Sequence, residues 1–167
     1  MLLNYLELLR VDPAAWLWLM FAGIVGIVSA VTVHEAAHAW SAHRLGDSTA
    51  YGMGRVSLDP RRHLDPLGSF LFLVGGFGWG KPTPVIPRYL RGDVRASMGL
   101  VSIAGPASNL LAAFLFSLPI RAGAVDWQFP FSVFTLGVPQ TPLQLAGDLL
   151  SYGILFNVVL ADRKSVV

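Results

Sequence analysis

The chain has 167 residues, of which 54% are hydrophobic and only 13% are charged, and its formal net charge is +2. Soluble domains carry about 25% charged residues, so the composition excludes a disordered chain, argues against an ordinary soluble globule and indicates a membrane protein. The small net charge gives no basic footprint, and we expect no nucleic-acid partner. Because the chain has no cysteine, disulfides, Cys-ligated zinc and thiol nucleophiles are excluded.

A first membrane span is predicted near the N-terminus. Residues 14–33 carry no charge, and a stretch of this length matches the hydrocarbon core of a bilayer, which is about 30 Å thick. Asp12 and Pro13 form a typical helix start, and Gly46 a typical helix end. A signal peptide is the alternative, but the run leads into His34 and Glu35 rather than into small residues at a cleavage site. We therefore expect a retained transmembrane helix.

Two different stretches follow the first span. Residues 47–66 are polar and rich in turn-forming residues, whereas residues 67–80 are apolar and rich in glycine but too few to cross a bilayer. We expect a small β-hairpin or a re-entrant segment here. Further spans are predicted over 96–120 and 143–161. The expected fold is an all-α, polytopic integral membrane protein with about three transmembrane helices, forming one membrane-embedded domain over 1–161.

Lysine and arginine are concentrated between the first two predicted spans. Residues 44–95 carry eight of them, whereas Arg10 precedes the first span and Arg121 follows the second. Cytoplasmic loops carry such an excess of basic residues. We therefore expect a multi-pass protein of the cell membrane with residues 44–95 in the cytoplasm.

The strongest chemical signal is the H-E-x-x-H motif formed by His34, Glu35 and His38. Residues four apart lie on one face of a helix, so both imidazoles can reach one metal ion. Zinc suits imidazole nitrogen and lowers the pKa of a bound water to about 7, and Glu35 is placed to act as the general base. Such residues are costly at the end of a membrane span unless they serve a function. A buried histidine pair without metal is the alternative.

A third zinc ligand is needed, and the local sequence does not identify it. Ser41 and Arg44 stand where the extended H-E-x-x-H-x-x-G-x-x-H pattern requires Gly and His, so that pattern is excluded. His43 lies about 140° round the helix from His38 and is interpreted as a surface side chain. The remaining candidates, none of them favoured by its spacing, are His63, Asp59, Asp65, Asp93 and Asp148.

Further motifs follow in a characteristic order. They are HEAAHAW (34–40), LGD (45–47), LDP (58–60), HLDPLG (63–68), GWGKP (78–82), AGPASN (104–109) and NVVLA (157–161). In this order they resemble the site-2 protease family of intramembrane zinc metalloproteases, over nearly all of residues 14–161. The resemblance implies a zinc-dependent endopeptidase that cleaves membrane-embedded peptides or proteins, with His34 and His38 as zinc ligands and Glu35 as the catalytic residue. Asp59 is a minor departure, since Asn is expected there.

The resemblance also implies a third zinc ligand that this sequence lacks, an Asp in a downstream Leu-Asp-Gly motif. Where the family continues towards that motif, this chain has residues 162–167, Asp-Arg-Lys-Ser-Val-Val. This hexapeptide is the translation of a sequencing adapter, so we expect a non-native tail over 162–167 and an incomplete domain over 1–161. A natural short C-terminus is the alternative. The 167-residue chain itself is expected to bind zinc weakly and to be inactive.

Two other functions remain open for the sequence. One is a membrane zinc hydrolase with a non-peptide substrate, and the other is a non-enzymatic membrane protein that keeps the fold. Within the AGPASN motif, the small residues are expected mainly to let helices pack closely. A hydrogen bond near the active site is the alternative role for Asn109.

Overall fold

The computed structural model describes residues 2–75, 80–131 and 141–162. The α-helices in these ranges are α1 (Leu2–Val11), α2 (Pro13–Arg44), α3 (Thr49–Gly52), α4 (Pro66–Gly75), α5 (Val94–Arg121) and α6 (Pro142–Asp162). Two short 3-10 helices lie at Pro60–Arg62 and Pro87–Tyr89. The helices α2, α5 and α6 are each long and apolar enough to cross a membrane, which confirms the expected all-α architecture with three spans.

Local chemistry sets both ends of α2. The Asp12 side chain accepts a hydrogen bond of 3.0 Å from the backbone N–H of Ala15, and Pro13 occupies the first helical position. At the other end, Gly46 has φ +115°, a left-handed conformation that a residue with a Cβ rarely adopts. The predicted start and stop of this helix are therefore confirmed.

The helices α2, α5 and α6 pack against one another in pairs. The helix α5 is antiparallel to α2, because Val101 contacts His38 while Ser108, further along α5, lies 3.4 Å from the carbonyl oxygen of Val33. This arrangement places the middle of α5 against the histidine-bearing end of α2.

The helix α6 runs parallel to α2. Trp18 donates a hydrogen bond from Nε1 to the carboxylate of Asp148, and further along both helices Gly26 packs against Phe156. Gly26 permits this approach, since a Cβ there would lie 2.7 Å from the Phe156 ring. The glycine thus allows α6 to form the second wall around α2.

The connection between α2 and α5 differs from the sequence-based expectation. Its described residues contain no strand, so the β-hairpin, which was expected between the first two spans as the alternative to a re-entrant segment, is not found in them; residues 76–79 lie outside the described ranges. Residues Pro66–Gly75 form a helix instead, because Asp65 caps it with a 2.8 Å bond from Gly68 N–H and the apolar run lacks the alternation of a strand. An isolated antiparallel bridge joins Leu64 to Gly80.

Candidate metal centre

The two histidines of the H-E-x-x-H motif lie side by side in the last third of α2. Both side chains are buried, with 8% of His34 and 5% of His38 exposed. Their ring centroids are 4.7 Å apart and the rings are nearly perpendicular. The four-residue spacing therefore places both imidazoles on one helix face, as predicted.

Both histidines direct Nε2 towards Gly105 on α5. A Cβ built on Gly105 would lie 2.6 Å from Nε2 of His34 and even closer to Nε2 of His38. Zinc binds histidine nitrogen at about 2.0–2.1 Å. The space that the glycine leaves open is therefore within coordination reach of both ring nitrogens, and these two residues fit a zinc ion.

The other ring nitrogen of His38, Nδ1, is held in a way that leaves Nε2 free to bind a metal. Its Nδ1 lies 2.7 Å from the carbonyl oxygen of Val101, which can only accept a hydrogen bond. Nδ1 of His38 must therefore carry the proton, and Nε2 keeps its lone pair for a metal. Metal-binding histidines typically have this kind of support from a backbone carbonyl.

Glu35 is held by a segment that follows the first span. Its Oε2 accepts a 2.9 Å hydrogen bond from the backbone N–H of Thr83, and its backbone carbonyl accepts a 3.1 Å bond from the Thr83 hydroxyl. Two bonds from one residue fix both the carboxylate and the backbone of Glu35 relative to this segment.

The segment of residues 80–86, called the anchored segment below, has two further polar anchors. Arg55, 4% exposed, donates from Nη1 to the carbonyls of Lys81 at 2.8 Å and Pro82 at 3.0 Å. Asp47, which is fully buried, accepts the N–H of Ile86 at 2.6 Å. A buried cation and a buried carboxylate thus hold the segment that contacts Glu35.

The carboxylate of Asp47 lies outside the membrane-spanning helices and is strongly hydrogen-bonded. Burial by itself would raise its pKa, but the Thr49 hydroxyl and the backbone N–H groups of Ile86 and Thr49 donate to the ionised form. Together these bonds lower the pKa of Asp47 below its usual 3.8. The anchor is therefore a carboxylate at neutral pH.

Comparisons with known proteins find relatives that are named zinc metalloproteases. The chain is 48% identical over 118 residues to the Bacillus subtilis protein named "Putative zinc metalloprotease YwhC", covering 70% of the chain and 53% of that relative. It is 35% identical over 115 residues to "Putative zinc metalloprotease Rip2" of Mycobacterium tuberculosis, covering 66% of the chain and 44% of the relative. The chain belongs to the site-2 protease family.

The match to these relatives covers only part of their length. The chain spans about half the length of the curated relatives it matches, including the Rip2 protein of Mycolicibacterium smegmatis, which is 28% identical over 131 residues and is covered to 49%. No protein-family model and no solved structure matches the chain.

Within the described ranges of this chain, no three His, Cys, Asp or Glu side chains form a group that could hold a metal ion. His63 is fully buried, but its Nε2 lies 2.7 Å from the carbonyl oxygen of Ser57. His43 stacks on Tyr51 with ring centroids 4.3 Å apart, and so does not join the histidine pair. The two other histidines therefore supply no third ligand.

The candidate aspartates serve other purposes. Asp59, Asp65 and Asp93 cap helices, since each side chain accepts N–H groups at the helix start that follows it. Asp148 accepts the indole N–H of Trp18 between α2 and α6. The structure thus brings together His34 and His38 but adds none of the weaker candidates.

Several residues of the site were not singled out as functional from the sequence. The small residues of the AGPASN motif indicated close helix packing, but not that Gly105 faces the histidines. Nothing in the sequence pointed to Thr83, because an exposed-looking threonine in a proline-rich connection has no distinctive spacing. Asp47 and Arg55 stood inside or beside family motifs without an assigned role.

Proposed function

We propose that this protein is a zinc-dependent intramembrane endopeptidase, which hydrolyses peptide bonds of membrane-embedded peptides or proteins. The observation that carries the proposal is the convergence of the His34 and His38 Nε2 atoms on the space beside Gly105. The names of the relatives, which call them zinc metalloproteases, support the class of reaction.

In this proposal His34 and His38 hold the zinc ion, and Glu35 is the catalytic residue. Zinc, when bound, supplies Lewis acidity that lowers the pKa of water to about 7. Glu35 takes the proton from the attacking water and returns it to the leaving nitrogen, as a general base and then a general acid. The Thr83 N–H fixes one oxygen of this carboxylate, which limits the directions in which Glu35 can accept a proton.

The proposed setting is a lipid bilayer, in which the three long apolar helices cross the cell membrane. The eight basic residues within 44–95 support a cytoplasmic location for the connection that contains the anchored segment. A membrane-embedded substrate would be helical, and a helix hides its carbonyls in its own hydrogen bonds. The substrate must therefore unwind locally before Glu35 can direct water to a peptide bond.

For the 167-residue chain itself we propose weak zinc binding and no turnover. A catalytic zinc site uses three protein ligands, and the described residues bring two together. The third ligand would come from an Asp of the kind that the family has in its Leu-Asp-Gly motif. The second candidate function is that of a non-enzymatic membrane protein, which is favoured by the presence of only two converging ligands among the described residues.

Zinc binding is the first test. The 167-residue chain, purified in detergent, is titrated with zinc against a chromophoric chelator, next to His34→Ala and Glu35→Gln variants. We expect measurable zinc binding that His34→Ala abolishes and that Glu35→Gln preserves. Equal zinc affinity of the parent and His34→Ala would refute the proposed ligand pair.

Turnover is the second test. A chimera joins residues 1–161 to the remaining half of the Bacillus subtilis relative and is assayed in proteoliposomes with a model transmembrane peptide. Glu35→Gln should lower cleavage by about 10²- to 10⁴-fold, the usual contribution of a general base. Full cleavage by the Glu35→Gln chimera would refute the mechanism. A chimera that binds zinc without cleaving any transmembrane peptide would instead favour a non-peptide substrate or a non-enzymatic role.

A further inference from the structure

Buried polar groups without hydrogen-bond partners lie on all three long helices of the bundle. Four side chains on three helices have polar atoms without a hydrogen-bond partner among the described residues: Thr32 and His34 on α2, Asn109 on α5 and Asn157 on α6. His34 lacks a partner at Nδ1, and Asn109 lacks one at both Nδ2 and Oδ1. Buried polar groups without partners are rare because leaving them unpaired is costly.

The position of Asn109 on α5 places it close to the metal centre. Val101, Gly105 and Asn109 follow one another at intervals of four residues, so they share one face of α5. The first two contact the histidines, Val101 through its carbonyl and Gly105 through its open side. Asn109 continues this face by one helical turn and is fully buried.

The antiparallel packing gives the level of Asn109 along α2. The Ser108 hydroxyl lies 3.4 Å from the carbonyl of Val33, the residue before His34. Asn109, the next residue on α5, is therefore level with the turn of α2 that leads into His34, where Thr32 also lies with an unpartnered hydroxyl. The unpaired Nδ1 of His34 and the unpaired amide of Asn109 are therefore at neighbouring levels along α2.

We propose that Asn109 is the positioning residue of His34, whose Nδ1–H it binds through one buried water that Oδ1 accepts from. The proposal rests on the proposed zinc site, in which His34 needs its proton on Nδ1 to leave Nε2 free. His38 obtains the same support from the Val101 carbonyl. Val101 and Asn109, two turns apart on α5, would thus orient both zinc ligands, and outer partners of this kind fix the tautomer and the ring orientation of metal-binding histidines.

Asn157 provides a matched control within the same protein. It is as completely buried as Asn109 and carries the same amide. Its Nδ2, however, donates a 2.8 Å bond to the carbonyl of Gly153, one turn back on its own helix. Replacing either asparagine with leucine removes a similar volume of buried amide, but only Asn109→Leu is expected to change the His34 ring.

The first measurement needs no metal. Nitrogen-15 NMR of the histidine-labelled, zinc-free full chain in micelles reports which ring nitrogen carries the proton, and the His34 signals are assigned by their loss in His34→Ala. We expect the Nδ1–H form of His34 in the parent, in Asn109→Asp, which keeps an acceptor oxygen, and in Asn157→Leu. In Asn109→Leu we expect a mixture of both tautomers. An unchanged Nδ1–H signal in Asn109→Leu would overturn the proposal.

The second measurement is the zinc dissociation constant of the same four proteins. Asn109→Leu should weaken zinc binding by about 10- to 100-fold, the usual effect of losing an outer partner, whereas Asn109→Asp and Asn157→Leu should change it by less than about 3-fold. Equal weakening by both leucine variants would assign the effect to bundle packing and overturn the proposal. If no variant, including the parent, binds zinc, the proposed function fails, while the tautomer measurement still decides the role of Asn109.

Discussion

Substituting Gly105 by alanine tests the metal centre most directly. The new Cβ would lie 2.6 Å from Nε2 of His34, whereas ordinary van der Waals contact begins at 3.4 Å. The helix α5 would have to retreat by more than about 0.8 Å, the difference between these distances, because Nε2 of His38 would be closer still, and overpacking of this kind costs about 1–3 kcal/mol. The methyl group would also occupy the space within coordination reach of both ring nitrogens.

We expect Gly105→Ala to weaken zinc binding by at least about 100-fold. Losing a hydrogen-bond partner of a metal ligand weakens metal binding by up to about 100-fold, and here the methyl group competes with the ion itself. The assay is a zinc titration of the 167-residue chain against a chelator, together with thermal unfolding of the zinc-free protein.

Gly99→Ala is the matched control on the same helix, since a Cβ there would meet no atom within 4 Å. This variant should keep the zinc affinity of the parent and gain about 0.5–1 kcal/mol in stability from better helix propensity. Zinc affinity of a folded Gly105→Ala protein within about 3-fold of the parent would refute the placement of the ion beside Gly105.

Two predictions concern Asp47, the buried anchor. Asp47→Asn removes a carboxylate that accepts hydrogen bonds from Ile86 and Thr49, so it should lower the free energy of unfolding by about 1–3 kcal/mol. Asp59→Asn, at an exposed helix cap, should lower the free energy of unfolding less. Equal losses in the two variants would contradict the anchoring role of Asp47. Because folding lowers the pKa of Asp47, its contribution to the free energy of unfolding is complete above the unfolded pKa of 3.8 and is lost as the pH falls through the folded pKa. In Asp47→Asn, the free energy of unfolding should therefore fall less steeply at acid pH. The same acid pH dependence in the parent and in Asp47→Asn would contradict this prediction.

The elements that could be predicted from sequence are those set by local chemistry. Apolar runs of about bilayer length predicted the three long helices, and Asp12, Pro13 and Gly46 predicted the ends of α2. The H-E-x-x-H spacing placed His34 and His38 on one face, because a helix has a fixed rise and rotation. These properties depend only on neighbouring residues.

The properties that could not be predicted depend on contacts between distant parts of the chain. Gly105 was visible as a small residue, but the register of α5 against α2 decides that it faces the histidines. The contact between Thr83 and Glu35 spans 48 residues, and each of its two hydrogen bonds joins a side-chain atom to a backbone group of a kind that nearly every residue carries. The stretch after Asp65 became a helix rather than a hairpin because a cap at its start outweighed its glycine content.

The placement of both histidines on α2 and of Gly105 on α5 has a mechanical consequence. His34 and His38 move as one rigid unit, since a continuous helix joins them, whereas Gly105 belongs to another span. A slip of α2 along α5 by a single residue would be about 1.5 Å, close to the roughly 2.0–2.1 Å at which zinc binds histidine nitrogen, so the space beside Gly105 would no longer face both Nε2 atoms. Zinc affinity at the proposed site would therefore report how α2 and α5 are aligned.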